Sequence, residues 1–393
     1  MRGHIRKKEW TTKKGEERHS YEVIVYVGRN PTTGAPRLRS KTAKTKREAE
    51  RLLRDWLNQL ETGGITAPSR MRLEELLLTH YLEGFARRNL RPTTLDSYER
   101  TIKLHILPVL GHVPVQKLTP GQINVFYAGL LEKGVSPRVT RYCHAVLHRT
   151  LALAVKWRIA AYNPAAQADP PKVPRKEMQA LGAEGIRALL EAAHQDRLYP
   201  LWMLAVSTGM RRGEICGLRW EDVDLDLGTV MVRRTLVMVA GRPTPQEPKT
   251  ARSRRRVKLP DSSVEALRQW RIEQKKERLV HGEGYVDSGN VFTQRDGKPL
   301  RPDLLSKRYF PRLLKAAALP PTLRFHDLRH SHATALLQAG TPAKVISDRL
   351  GHFSTGFTMD TYAHVTPSLE QEAADRFDAL VFGGDEATKK QQG

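Results

Sequence analysis

Apolar positions recur along the chain with two different periods, and the period changes at identifiable places. Residues 20–27 read S-Y-E-V-I-V-Y-V, a run of β-branched and aromatic side chains that predicts a strand. Asn30, Pro31 and Gly34 mark a turn. Residues 37–41 then alternate basic with other side chains, as a second strand with one solvated basic face would. Thr45 and Glu48 have capping-box spacing and open a helix to about Leu60. Past the glycines and proline of residues 63–70 the rhythm becomes helical, with Leu73, Leu76, Leu77 and Tyr81 on one face. Thr119–Pro120 and Ser136–Pro137 each set an N-cap hydroxyl before a proline at the first helical position. The helix after Pro137 carries Val139, Tyr142, Val146, Leu147, Leu151 and Val155 on its apolar side.

Pro164, Pro170, Pro171 and Pro174 predict an extended, semi-rigid linker. Residues 178–382 are mostly helical in pattern, with strand-like runs at residues 229–234 and 256–259. The expected fold class is mainly α with small β-sheets, an α+β protein. Its units are residues 1–62, 71–165 and 178–382. Residues 166–177 form the linker, and residues 383–393 are a polar tail.

Charge narrows the partner. Across 393 residues, 66 Lys+Arg against 42 Asp+Glu leave a net +24, which favours a polyanion. With 39% hydrophobic and 27% charged residues the chain is globular and not a disordered basic tail. No stretch of 18 apolar residues predicts a membrane span, and residues 1–20 lack a secretory pattern. Two distant cysteines, Cys143 and Cys216, cannot form a zinc cluster alone. An intracellular, reduced, nucleic-acid-facing protein is expected, without membrane contact. Residues 1–60 hold 16 basic and 7 acidic residues. Arg37, Arg39 and Lys41 there, and Arg138 and Arg141 on the helix after Pro137, are candidate DNA contacts.

Four segments of the last unit carry reactive residue types. In T-G-M-R-R-G-E, Gly209 ends a helix and Arg211 begins a new turn, where it can present its fork to a phosphate while Glu214 fixes its angle. Residues 249–258, K-T-A-R-S-R-R-R-V-K, have six basic residues in ten and none acidic. Between strand-like runs they read as a β-hairpin whose loop, with Arg252, Arg254 and Arg255, meets a DNA backbone. In F-H-D-L-R-H, His326 and Arg329 lie three apart on one helical face. His326 and His330 have the spacing of a metal pair, but H-E-x-x-H is missing and no metal is expected. In the fourth segment Thr341–Pro342 caps a short helix, Gly351 ends it, His352 sits at the break and Tyr362 follows ten residues later.

In this order the segments resemble the tyrosine recombinase (phage integrase) family. The resemblance rests on Arg211 in T-G-M-R-x-x-E, Lys249 in P-K-T, His326 and Arg329 in H-x-x-R, His352 in L-G-H and Tyr362 in Y-A-H-V. The family pattern selects Arg211 over the adjacent Arg212, and Lys249 over Lys258. The middle unit resembles the family's core-site-binding domain. The first resembles an arm-site-binding domain built from a three-stranded sheet and a helix. The resemblance implies a site-specific integrase that cleaves and rejoins DNA through a 3′-phosphotyrosine intermediate, without a cofactor, to integrate or excise a mobile element. Its implied partners are double-stranded attachment sites, accessory DNA-bending or directionality proteins, and three further copies of the chain. The copies would be linked through a C-terminal helix carrying Leu369, Ala373, Phe377, Leu380 and Val381.

The residue types suit that chemistry. Arg211 and Arg329 can stabilise charge building on the nonbridging phosphate oxygens, and His352 can add a third donor. Tyr362 is the candidate nucleophile. A phenol has an ordinary pKa near 10, so either His326 as base or the field of the arginines must help it ionise. Lys249 can protonate the leaving 5′ oxygen. The covalent bond conserves the phosphodiester energy, and the sequence has neither a P-loop nor an obvious acidic cluster for two-metal chemistry. Two other readings share parts of this pattern: a type IB topoisomerase-like enzyme, and a noncatalytic DNA-binding regulator.

Overall fold

A computed structural model of the chain describes residues 3–11, 17–29, 35–61, 70–174, 179–247 and 254–351, together with residues 356, 375, 377, 378 and 381. The chain divides into two compact units, residues 1–175 and 176–393. Helices predominate and the sheets are small and antiparallel, the α+β class expected.

The first unit opens with an antiparallel sheet of β1 (Gly3–Thr11), β2 (Glu17–Arg29) and β3 (Pro36–Ala43), with β2 central. β1 has almost no hydrophobic signal of its own. It is held by pairing, with Ile5 opposite Val23, and packs against the same core. Val23, Val25 and Ala43 bury against Ala49 and Trp56 of the helix Lys46–Glu61. That helix starts at the expected Thr45 cap: Thr45 Oγ1 accepts from Glu48 N at 3.2 Å, and Glu48 Oε2 reaches one residue past the N-cap to accept from Lys44 N at 3.1 Å.

The register shows which way the expected basic strand faces, and Lys41 on it is exposed. Arg39 pairs with Val25 and Lys41 with Val23, and both valines are buried beneath the helix. Residues directly opposite share a face, so Arg39 and Lys41 lie on the helix side. The Arg39 guanidinium sits 4.4 Å from the centroid of the Trp56 ring, a cation–π contact. The other face of the sheet instead presents Arg6, Lys8, Trp10, Tyr26 and Leu38 to solvent.

The helical part of this unit has its own core. Leu73, Leu76, Leu77 and Tyr81 are fully buried, as their spacing predicts, against Ile102, Ile106, Ile123, Phe126 and Leu147. Thr119 and Gln122 form a reciprocal capping box ahead of the helix Pro120–Glu132, and Ser136 Oγ accepts from Val139 N ahead of the helix Pro137–Lys156. The proline-rich stretch departs from expectation at its start. Asn163 accepts from Ala165 N and donates to His148 O, which seats a short 3₁₀ turn, Pro164–Gln167, on the core. Asp169 N donates to Asn124 Oδ1 at 2.8 Å, and only beyond it does the chain run free of regular structure.

The second unit buries the helix Tyr199–Thr208 almost completely. Trp202 packs on Phe310 and Phe325 and donates from its indole nitrogen to Asp196 Oδ2. The strand-like runs form β5 (Thr229–Val232) and β8 (Arg255–Lys258), which pair with each other and, through β5, with β4 (Val223–Asp224). Between them lies a separate hairpin, β6 (Thr235–Val239) and β7 (Arg242–Gln246), turning at Ala240 and Gly241 with φ of 47° and 76°. The basic segment at residues 249–258 is therefore not a hairpin loop. It joins β7 in one sheet to β8 in another, and residues 248–253 lie outside the described residues.

Candidate active site

Two helix ends and one helix start converge in the second unit. The helix Tyr199–Thr208 ends at Gly209, whose φ of 61° is the left-handed conformation that glycine adopts without strain. The chain turns there and begins the short helix Arg212–Cys216, with Arg211 at its N-cap. The helix Ala343–Leu350 ends likewise at Gly351, φ 66°. Its start differs slightly from expectation: Pro342 is the N-cap, and no side chain caps it. The helix Asp327–Gln338 begins beside them with His326 at its N-cap and Arg329 in its first turn.

Arg329 ties these parts together. It is 3% exposed, donates from Nη1 to Gly209 O at 2.8 Å and from Nη2 to Leu350 O at 2.7 Å. Arg211 donates from Nη2 to Gly351 O at 3.4 Å and from Nη1 to Glu214 Oε1 at 2.9 Å, while its backbone N–H meets Glu214 Oε2 at 2.9 Å. Both guanidinium groups thus meet the carbonyl end of one helix, where a cation is favoured, immediately before His352. Arg212, next to Arg211, instead donates to Ser306 Oγ at 2.7 Å.

Glu214 is buried and yet charged. Burial pushes its carboxyl pKa up, but ion pairs with Arg255 and then Arg211 outweigh this and hold it below the ordinary value. His326 is exposed overall. Even so, partial desolvation of its ring, joined by His330, Arg329 and Arg211, lowers its pKa to about 4. The His330 ring lies edge-on to it, 5.2 Å between centroids. A neutral imidazole beside two guanidinium groups can accept a proton, and an arriving phosphate would raise its affinity for one.

Arg211, Glu214, His326 and Arg329 are therefore brought together. Lys249, Arg252, His352 and Tyr362 lie outside the described residues. Arg254 is exposed and pairs with Glu247 at 2.9 Å beside a cavity of about 520 Å³ lined also by Arg233 and Arg234. Arg255, expected on a DNA-facing loop, is corrected: it is 8% exposed and bound to Glu214. Its strand parity with buried Val257 is the signal that would have found this. Arg349 and His332, which complete the buried web behind Glu214, were not singled out by the sequence. Arg138 and Arg141 are exposed on the helix Pro137–Lys156 of the first unit.

Residues 179–368 match the phage integrase family, and residues 75–131 match the phage integrase N-terminal SAM-like domain. A tyrosine recombinase XerC-like protein of Caldanaerobacter subterraneus subsp. tengcongensis is 30% identical over 96% of this chain and 100% of its own length. The chain is a tyrosine recombinase of the phage integrase family. As such the recombinase is a site-specific DNA breaking-rejoining enzyme, which favours that reading over the topoisomerase-like and regulatory ones. Its fold is similar to that of the Tn1549 transposon integrase in complex with a circular intermediate DNA (TM-score 0.64, 21% identity, 78% of this chain and 99% of that one). It is also similar to a lambda integrase in a tetramer bound to a Holliday junction (TM-score 0.54, 21% identity, 90% and 94%). Among the recombinase's described residues no helix is long and apolar enough to cross a membrane.

Proposed function

We propose that the recombinase integrates or excises the mobile element that encodes it, with Arg211, Lys249, His326, Arg329, His352 and Tyr362 as its catalytic set. The observation that carries this is the convergence of Arg211 and Arg329 on the end of one helix, with His326 beside them and His352 next in sequence. Two fixed cations there suit a phosphoryl transition state, which needs cationic donors held close to the oxygens that gain charge. Tyr362 Oη attacks the phosphorus and the 5′ oxygen leaves, taking a proton from Lys249. His326, or the field of the arginines, favours loss of the phenolic proton. The 3′-phosphotyrosyl bond then yields to a 5′ hydroxyl from a second duplex, which reseals the DNA and restores Tyr362.

The substrate is double-stranded attachment-site DNA on the nucleoid of a bacterial cell. The basic residues of the helical part, Arg138 and Arg141 among them, suit contacts at the crossover site. The sheet of residues 3–43 suits arm-type sites, with Arg6, Lys8, Trp10 and Tyr26 on its open face. Four protomers on DNA and accessory bending or directionality proteins fit the same reading.

The test is trapping of a covalent complex on a nicked duplex spanning the junction of the element and its host DNA. Wild-type protein should form a denaturant-resistant complex, in EDTA as well as in Mg²⁺. Tyr362→Phe should bind the duplex with unchanged affinity and form none. A covalent complex with the Phe variant rejects the nucleophile.

A further inference from the structure

Arg255 opens β8 at the foot of the segment that carries Lys249, and it is surrounded by parts of the active site. Its Nη1 reaches Glu214 Oε1 at 3.2 Å and its Nη2 reaches Glu214 Oε2 at 2.9 Å. Its Nε donates to the carbonyl of Arg349 at 2.7 Å, in the last turn of the helix that leads to His352. The carboxylate that takes its fork also takes Arg211, through both backbone and side chain. Arg349 extends the web with its own side chain, donating to His332 Nε2 and Ser207 O.

We propose that Arg255 is a positioning residue for phosphoryl transfer. It joins three separately folded parts of the site into one frame: Glu214 with Arg211, the helix end before His352, and the root of the Lys249 segment. The inference rests on the roles proposed above for Arg211, Lys249 and His352. Its physical basis is the geometry of the guanidinium, which is rigid and donates in two directions at once, as an ammonium on a flexible stem cannot.

Stability alone gives little reason for this arrangement. Ion pairs shut away from water recover their desolvation cost only with good geometry, and apolar side chains of similar volume often do as well. Val257, two residues on and on the same face of β8, is buried in the apolar core, so that face is not intrinsically polar. What an apolar side chain cannot do is hold the Glu214 carboxylate ionised and square to Arg211. Oxyanion donors act through preorganisation, so a loosened Arg211 should cost rate and leave binding largely intact.

The full-length chain is tested on the nicked junction duplex, with covalent-complex formation measured in single turnover and affinity measured by gel shift. Arg255→Met should cleave at least about 50-fold more slowly while its affinity stays within about threefold. Its rate should also acquire a further fall toward low pH, beyond that of wild type. With Arg255 gone, burial pushes the Glu214 carboxyl up, and protonation then releases Arg211. Adding Glu214→Gln to Arg255→Met should abolish that extra pH dependence. Arg255→Lys keeps the charge, so it should keep the wild-type pH profile and still cleave roughly 10-fold more slowly.

Cleavage by Arg255→Met within threefold of wild type overturns the proposal. So does a parallel fall of affinity, cleavage and cooperative melting in both Arg255→Met and Arg255→Lys, which is the behaviour of a purely structural residue. A wild-type chain that forms no covalent complex would instead fail the proposed function, and the inference would fall with it.

Discussion

His332 uses both ring nitrogens in its neutral form: Nδ1 donates to Val206 O at 2.9 Å and Nε2 accepts from Arg349 Nε at 3.2 Å. Burial and the Arg349 charge lower its pKa to about 4. The unfolded chain takes up a proton near pH 6.5 that the folded chain refuses until about pH 4, so stability is lost as pH falls through that window. The loss is roughly 2–3 kcal/mol at pH 4.5 for a fully excluded proton. His332→Gln should be less stable than wild type at pH 7.5, and the gap should close by about that amount at pH 4.5 in urea titrations. A gap independent of pH rejects the assignment. At this scale the sequence was uneven. Arg211 and Arg329 could be read because a helix break or a helical face placed them. Arg349 and His332 could not, and Arg255 offered only its parity with Val257, because a buried polar web is made by contacts between residues 17 to 142 positions apart.

Helix ends decide where the site forms. A Cβ on Gly209 would stand 2.6 Å from Leu350 Cδ2 and 2.9 Å from the His332 ring, on a backbone with φ of 61°. Gly209→Ala would therefore strain the turn and push apart the ends that Arg329 bridges. It should cost about 2 kcal/mol or more, with strain and overpacking acting together. Differential denaturation would measure that loss, and cleavage should fall further than melting because Gly209 O anchors Arg329. A variant that melts and cleaves like wild type would show that the turn tolerates a side chain. Elements with local signals were legible: the caps at Thr45, Thr119 and Ser136, and the breaks at Gly209 and Gly351. The β6–β7 hairpin was not. Pro243 and Pro245 hide β7, and prolines survive there because the hairpin stands as its own two-stranded sheet. β1 was hidden for a different reason, since its stability comes from pairing with β2.

At the scale of the whole molecule, the proposed reaction would need cleavage at two duplexes to be coordinated, with Tyr362 of each copy as the proposed nucleophile. Sequence order alone revealed the family, since short segments spread over some 150 residues matched together, whereas the faces of the first sheet depended on a register that only pairing sets. The segment after Tyr362 carries a candidate for that coordination. Leu369, Ala373, Phe377, Leu380 and Val381 form an apolar stripe in sequence. Phe377 is 60% exposed and Val381 51% exposed in the single chain, although both are helical. Exposed apolar side chains in a helix suit a partner surface. The proposed occupant is a second copy, since a heterologous, head-to-tail handover would close into a ring of four where the rotation between copies is a quarter turn. Such a handover would set the position of Tyr362 by the neighbour that receives its helix, and cleavage would wait for assembly. Truncation after Pro367 should then abolish recombination between paired sites while cleavage of a nicked half-site is retained or increased. Sedimentation on DNA should show no four-protomer complex. Assembly of four truncated protomers on DNA, unchanged from wild type, would place the apolar stripe on its own subunit instead.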